Sequence, residues 1–199
     1  MQLRTESSLR PSRIGLLFSG GLDSTAALAL LRSDGYEVTL IEVEHPGRPE
    51  GEKAAAAAIA AHFELPRLVV QVDFGCLRDL SARPSALLLT SIAEHAARTL
   101  SLRDVVMATI REDWEICGEP EAGQYYLSTV QRLLRMHSSE PVQLHMPYRM
   151  HSKSELSRAA YAIGAPLDLS WSCTAALNRP CGCCVPCLQA IAAIRAAKQ

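Results

Sequence analysis

Short aliphatic runs alternate with longer segments of helical composition along most of the chain. RIGLLF (13–18), YEVTLIEV (36–43), LPRLVVQVD (65–73), RDVVMATI (103–110) and VQLHMP (142–147) are rich in β-branched and aliphatic residues and read as strands. Between them, residues 22–33, 50–63, 84–100, 125–136 and 152–164 carry the alanine, leucine and charged residues of helices. Pro84 suits a helix start, Ser152 with Glu155 makes a capping-box signature, and Gly164 suits a helix end. Strands and helices in this alternation predict an α/β fold: a doubly wound parallel sheet covered on both faces, with ligands outside the carboxyl ends of its strands. We expect a main α/β domain over 13–165 and a small C-terminal element over 166–199.

Composition narrows this picture. The 199 residues suffice for one such domain, and a net charge of −1 supplies no overall basic field for nucleic acid or a membrane surface. MQLRTESSLRPS (1–12) is charged and lacks an apolar core, and AAAAAIAA (54–61) is too short to span a bilayer. The protein therefore reads as cytoplasmic, with no membrane partner. The alanine-rich helix also offers a close-packing face on which a second copy could form a homodimer.

SGGLDS (19–24), between the first strand and the first helix, is where chemistry is expected. It is neither GxxxxGK[ST] nor GxGxxG, and Gly15 stands too far from Ser19 for a GxSxG elbow. Gly20 and Gly21 lack Cβ atoms, so a polyphosphate could approach the backbone while the free N–H groups of the helix face it. Each dipole interaction is worth only about 0.3–1 kcal/mol at exposed sites, so several donors must act together. Ser19, Ser24 and Thr25 add hydroxyls, and Asp23 would repel phosphate unless Mg²⁺ lay between them. The same residue types also suit plain helix capping.

A second constellation lies in WSCTAALNRPCGCCVPC (171–187). Cys173, Cys181, Cys184 and Cys187 could close a thiolate tetrahedron around Zn²⁺ and leave no position for a catalytic water, which makes the site structural. An iron–sulfur cluster uses the same ligands and is the rival reading. Cys183 is the spare of the group, although an exchange with Cys184 stays open; Cys76 and Cys117 read as incidental cysteines. After Cys187, LQAIAAIRAAK predicts a terminal helix that the metal would hold against the domain.

FSGGLDSTAAL resembles the pyrophosphate loop of the ATP pyrophosphatases, and the two ends together resemble the 7-cyano-7-deazaguanine synthases, from about Arg13 to Cys187. In between, MPYRMHSKSELSRAAYAIGAPLDLSWSC (146–173) is similar to that family's PLxxLSKxEI…G…WSC segment, which brings Lys153, Trp171 and Cys173 into register. VEHPGRPEGE (43–52) is a fainter echo that keeps Glu44, Arg48 and Glu52. The resemblance implies that Phe18, Ser19, Gly20, Gly21, Leu22, Asp23, Ser24, Thr25 and Arg48 bind ATP with Mg²⁺, that Asp23 and Lys153 are catalytic with Lys153 facing phosphate, and that the four cysteines hold zinc. On dipole grounds alone, a lysine in the first turn of a helix is poorly placed unless an anion is close.

Departures concentrate in the middle. Where the family reads VPGRN this chain has ARPSA (82–86), and where it reads GVxxxDYSGYPDCR this chain has ATIREDWEICGEP (108–120), keeping Asp113 and an aromatic, Trp114. Trp114 could stack on a planar base or belong to the core; Asp113 could read an amine or cap a turn. His45 could shuttle a proton or be a solvated loop residue. The resemblance implies a carbon–nitrogen ligase that adenylates 7-carboxy-7-deazaguanine for attack by ammonia, giving an amide and then a nitrile. Two other outcomes stay open: a ligase that joins such a carboxylate to another amine, including one on a protein or nucleic acid, and a non-catalytic nucleotide-binding module.

Overall fold

A computed structural model describes residues 13–73, 85–115, 121–175 and 179–199. Five strands, β1 (Arg13–Leu17), β2 (Glu37–Glu44), β3 (Arg67–Gln71), β4 (Asp104–Met107) and β5 (Gln143–His145), form one sheet in the order β3-β2-β1-β4-β5. Every pairing is parallel; Leu16, for example, lies opposite Leu40 on one side and Val106 on the other. Among the described residues seven helices accompany them: α1 (Leu22–Ser33), α2 (Glu50–His62), α3 (Ala86–Thr99), α4 (Arg111–Glu115), α5 (Ala122–His137), α6 (Lys153–Ala162) and α7 (Val185–Ala197). A 3-10 turn spans Leu167–Leu169. No helix among the described residues is long and apolar enough to cross a membrane.

Alternate strand residues feed two cores. Ile14, Leu16, Val38, Leu40 and Val106 face α1, α2, α6 and α7, whereas Ile41, Val105, Met107 and Leu144 face α3 and α5. The central strands are covered on both faces, as their near-continuous apolar composition requires. β1 connects to β2 on one side and borders β4 on the other, so the strand order reverses beside β1. At such a switch point the connections diverge and open a crevice at the carboxyl ends.

The expected α/β architecture is present, and α1 and the Ser152–Glu155 capping box form as the sequence predicts. Gly164 follows α6 with φ of +78°, a conformation suited to glycine. β4 is shorter than its apolar run because the chain leaves the sheet after Met107, and α7 begins at Val185, so Cys187 lies inside its first turn. α4 has no counterpart in the sequence reading. Pro84, Cys76, Cys117 and most of ARPSA lie outside the described residues.

Candidate active site

The β1–α1 turn forms one wall of a cleft of about 370 Å³. Phe18 is buried and its N–H donates to the Ile41 carbonyl at 2.8 Å, which prolongs the sheet edge into the turn. Gly20 has φ of +83°, and a Cβ there would sit 2.6 Å from the backbone nitrogen of Ala56 on α2. That close approach explains the first glycine. Gly21 is the N-cap of α1, and no side chain caps the helix, so the turn does not follow the plain capping reading of its Ser and Asp residues. Instead the hydroxyls fold inward: Ser24 Oγ and Thr25 Oγ1 donate to the Gly21 carbonyl at 3.1 and 2.8 Å, and Ser19 Oγ accepts from Gly21 N–H at 3.1 Å.

The expected residues Phe18, Ser19, Gly21, Leu22, Asp23, Ser24, Arg48 and Lys153 all line the cleft. Thr25 is fully buried behind it, and Gly20 forms the back of the turn against α2. Lys153 crosses from α6, and its Nζ meets Asp23 Oδ2 at 2.5 Å. The Lys153 backbone N–H donates to Glu112 Oε1 at 2.9 Å. The anion that makes a lysine tolerable in this first turn is therefore present within the fold. Asp23 Oδ1 is buried and has no hydrogen-bond partner among the described residues.

Arg48 stands deeper than its faint motif suggested. Its guanidinium pairs with Glu42 at 3.1 Å, Glu44 at 3.4 Å and Glu52 at 3.3 Å, and Nη2 donates to the Ser19 carbonyl at 2.8 Å. Arg67 binds the other oxygen of Glu42 at 2.8 Å. The side chains of Arg48 and Glu42 are each only 2% exposed, so the three acids balance a charge that has left water. Glu42 escaped sequence reasoning, although an acid inside the apolar run YEVTLIEV was its signal.

The far wall comes from the end of β4. Thr109 lines the cleft, is 9% exposed, and its Oγ1 has no partner among the described residues. Asp113 also reaches the cleft, and Oδ2 accepts from Ile110 N–H at 3.0 Å. Loss of solvent pushes its carboxyl above the ordinary aspartate range, and the charges of Asp23 and Glu112 add to this; the Ile110 N–H and Lys153 oppose it. Trp114 does not line the cleft. Its ring lies 5.2 Å from that of Tyr126, under α5. His45 borders the cleft just beyond β2.

Sγ atoms of Cys173, Cys181, Cys184 and Cys187 lie within 4.8 Å of one another, with Cys181 and Cys187 at 3.9 Å. Zn–S bonds of about 2.3 Å in a regular tetrahedron separate the sulfurs by about 3.8 Å, so the spacing fits one such ion. Backbone N–H groups of Ala175 and Cys181 point at Cys173 Sγ at 3.4 and 3.3 Å. N–H donors from Cys183 and Cys184 lower the Cys181 thiol to about 6. Burial pushes the Cys187 thiol up to about 12, a cost that a bound cation would reverse. Cys183 is exposed and outside the group.

Comparison with known proteins adds to this geometry. Residues 13–86 and 82–198 match the family model described as queuosine biosynthesis protein QueC. The 7-cyano-7-deazaguanine synthase of Thermoplasma acidophilum is 25% identical over 200 residues, covering 87% of this chain and 83% of its own. That of Anaeromyxobacter sp. (strain Fw109-5) is 29% identical over 214 residues, covering 90% of each. Among solved structures, the U34-tRNA thiolase NcsA from Methanococcus maripaludis, described with its 4Fe-4S cluster, superposes with a TM-score of 0.55 at 13% identity, covering 94% of this chain and 70% of its own. NMN synthetase from Francisella tularensis gives 0.51 at 10% identity, covering 93% and 84%. These two likenesses concern the fold alone.

Proposed function

The chain belongs to the QueC family of queuosine biosynthesis proteins, and from that premise we propose that it is an ATP-dependent carbon–nitrogen ligase acting on a small deazaguanine-type carboxylate. The observation that carries this reading is the meeting of Asp23 and Lys153 beside the uncapped start of α1, inside a cleft of about 370 Å³. In the proposed reaction a carboxylate oxygen attacks the ATP α-phosphorus and pyrophosphate leaves. Ammonia then adds to the acyl carbon of the adenylate, AMP departs, and an amide forms. The amide oxygen then attacks the α-phosphorus of a second ATP and a second pyrophosphate leaves; loss of AMP and the amide protons gives the nitrile.

The roles follow from placement. First-turn amides of α1 would face the departing phosphates, where charge develops, and the Ser19 and Ser24 hydroxyls, now bonded within the turn, would have to turn outward to join them. Lys153 adds a cation there once released from Asp23. Asp23, with one oxygen already unpartnered, is suited to hold Mg²⁺, which would screen the phosphate charge. Arg48 acts through the Ser19 carbonyl it anchors. The four cysteines would hold zinc as a closed structural site.

A second reading has its own support. Thr109 and Asp113 occupy the acceptor end, in a segment that departs from the family's pattern, so the amine could be a larger one on a protein or nucleic acid. Pyrophosphate release from ATP with 7-carboxy-7-deazaguanine and ammonia, followed by mass analysis of the product, is the test. Nitrile formation supports the first reading. Release that stops at an amide, or that requires another amine, supports the second; no release with any carboxylate would reduce the protein to a nucleotide-binding module.

A further inference from the structure

Trp171 joins the cysteine cluster to the glycine turn by three separate contacts. Its backbone N–H donates to the Gly20 carbonyl at 2.9 Å. Its indole N–H donates to the Cys173 carbonyl at 2.7 Å, inside the cluster. Its ring lies flat against Gly51 of α2, where a Cβ would come within 2.4–2.5 Å of three ring atoms. The side chain packs with Ala55, Cys173 and Cys187 and is only 9% exposed. The proposed chemistry uses no indole, and hydrophobic packing alone needs neither hydrogen bond.

The turn needs such an anchor. Gly20 and Gly21 are the residues with the most backbone freedom to lose, and a loop that samples many orientations binds polyphosphate poorly. Each peptide group is planar, so fixing a carbonyl fixes the direction of the N–H that follows it. Arg48 holds the Ser19 carbonyl at 2.8 Å and thereby sets the Gly20 N–H. Trp171 holds the Gly20 carbonyl and thereby sets the Gly21 N–H. The first anchor, in the connection between β2 and α2, is tied to the sheet by Glu42 and Glu44 of β2. The second hangs from a segment, 170–184, that contains no helix or strand among its described residues and carries three of the four clustered cysteines.

We propose that Trp171 is a positioning residue that couples metal occupancy of the four-cysteine site to the conformation, and so the affinity, of the nucleotide loop. This rests on the reading of residues 19–25 as that loop. With the four sulfurs drawn together, Cys173 is fixed, its carbonyl orients the indole, and the Trp171 backbone holds Gly20 in the binding conformation. Without metal the chain of contacts slackens and the glycines regain their freedom.

A double cycle tests it. Affinity for a non-hydrolysable ATP analogue with Mg²⁺ is measured by calorimetry in metal-loaded and chelator-stripped protein, for the wild type and for Trp171→Phe, with metal content checked by elemental analysis. Amide exchange of residues 18–25 is followed in the same samples. Stripping the wild type should weaken binding about tenfold, the range expected for one lost buried hydrogen bond. Trp171→Phe should lose a similar factor with its metal retained, and stripping should then cost little more. Loop exchange should accelerate in both. Gly51→Ala, which displaces the ring and touches no thiolate, should reproduce the loss. Wild-type affinity and exchange in metal-loaded Trp171→Phe would overturn the proposal, as would losses that simply multiply. If the loaded wild type bound no nucleotide, the reading of the loop would fall, while the exchange rates would still decide whether metal and turn are coupled.

Discussion

Gly20 and Gly35 share a positive φ, +83° and +89°, yet their surroundings differ. Around Gly35 a Cβ would meet nothing within 4 Å, so Gly35→Ala carries only the backbone strain of about 1–2 kcal/mol. At Gly20 the same methyl collides with the backbone of Ala56, which cannot step aside like a side chain. Gly20→Ala should therefore cost clearly more stability than Gly35→Ala in urea titration and should also abolish nucleotide binding, which Gly35→Ala leaves intact. A second residue-scale expectation concerns Glu42. It pairs with buried Arg48 and with exposed Arg67; Glu42→Ala removes one of the three acids on Arg48 and leaves Glu44 and Glu52, so it should destabilise by about 1.5–3 kcal/mol, the range for a lost hydrogen bond to a charged group. That SGGLDS forms a strand-to-helix turn could be read from the sequence because its residue types and order are local. The commitment of Arg48 to the Ser19 carbonyl could not, because it depends on β2 and the start of α2 converging on the turn.

At the level of elements, α6 carries Lys153 at its first position, and the capping box fixes where that position lies. Ser152 Oγ accepts from Glu155 N–H at 3.2 Å, while Glu155 Oε2 accepts from Ser152 N–H and Oγ at 2.8 Å each. Those donors hold the Glu155 carboxyl below its ordinary value of 4.5. A lowered carboxyl pKa contributes stability above the unfolded value, and that contribution disappears as pH falls through the folded one. Ser152→Ala should cost about 1 kcal/mol at neutral pH, and the gap from wild type should narrow below about pH 4 in thermal denaturation. It should also weaken nucleotide binding, since Lys153 loses its fixed origin. The box and the span of α1 were visible in sequence because capping and periodicity are short-range signals. α4 was not: its five residues, REDWE, are too few to show a period, and it forms where Asp113 accepts from the Ile110 N–H and Glu112 from that of Lys153.

For the whole molecule, alternating strands and helices announced a parallel sheet, but the strand order rests on pairings between residues far apart in sequence, for which the pattern holds no signal. That order puts the crevice beside β1, where the turn of Ser19–Ser24 meets Thr109, Asp113 and Lys153. The C-terminal segment closes the same crevice from outside, with Trp171 and Ser172 on its wall. α7 is secured twice, by the cluster at Cys187 and by Ala190 and Ala193 buried in the core beside α6, whereas the described residues of 170–184 have no apolar face of comparable size. Removing the metal should therefore act in stages: α7 stays docked on α6 while the segment before it loosens. Limited proteolysis of chelator-treated protein should cut within 172–184 first, at temperatures where circular dichroism still reports full helix content. Cys184→Ala should show the same cutting without chelator. Cys183→Ala, which removes an exposed thiol outside the four, should keep its metal and resist cleavage like the wild type. Cleavage that began elsewhere, or metal lost from Cys183→Ala, would mean that a different set of sulfurs holds the ion.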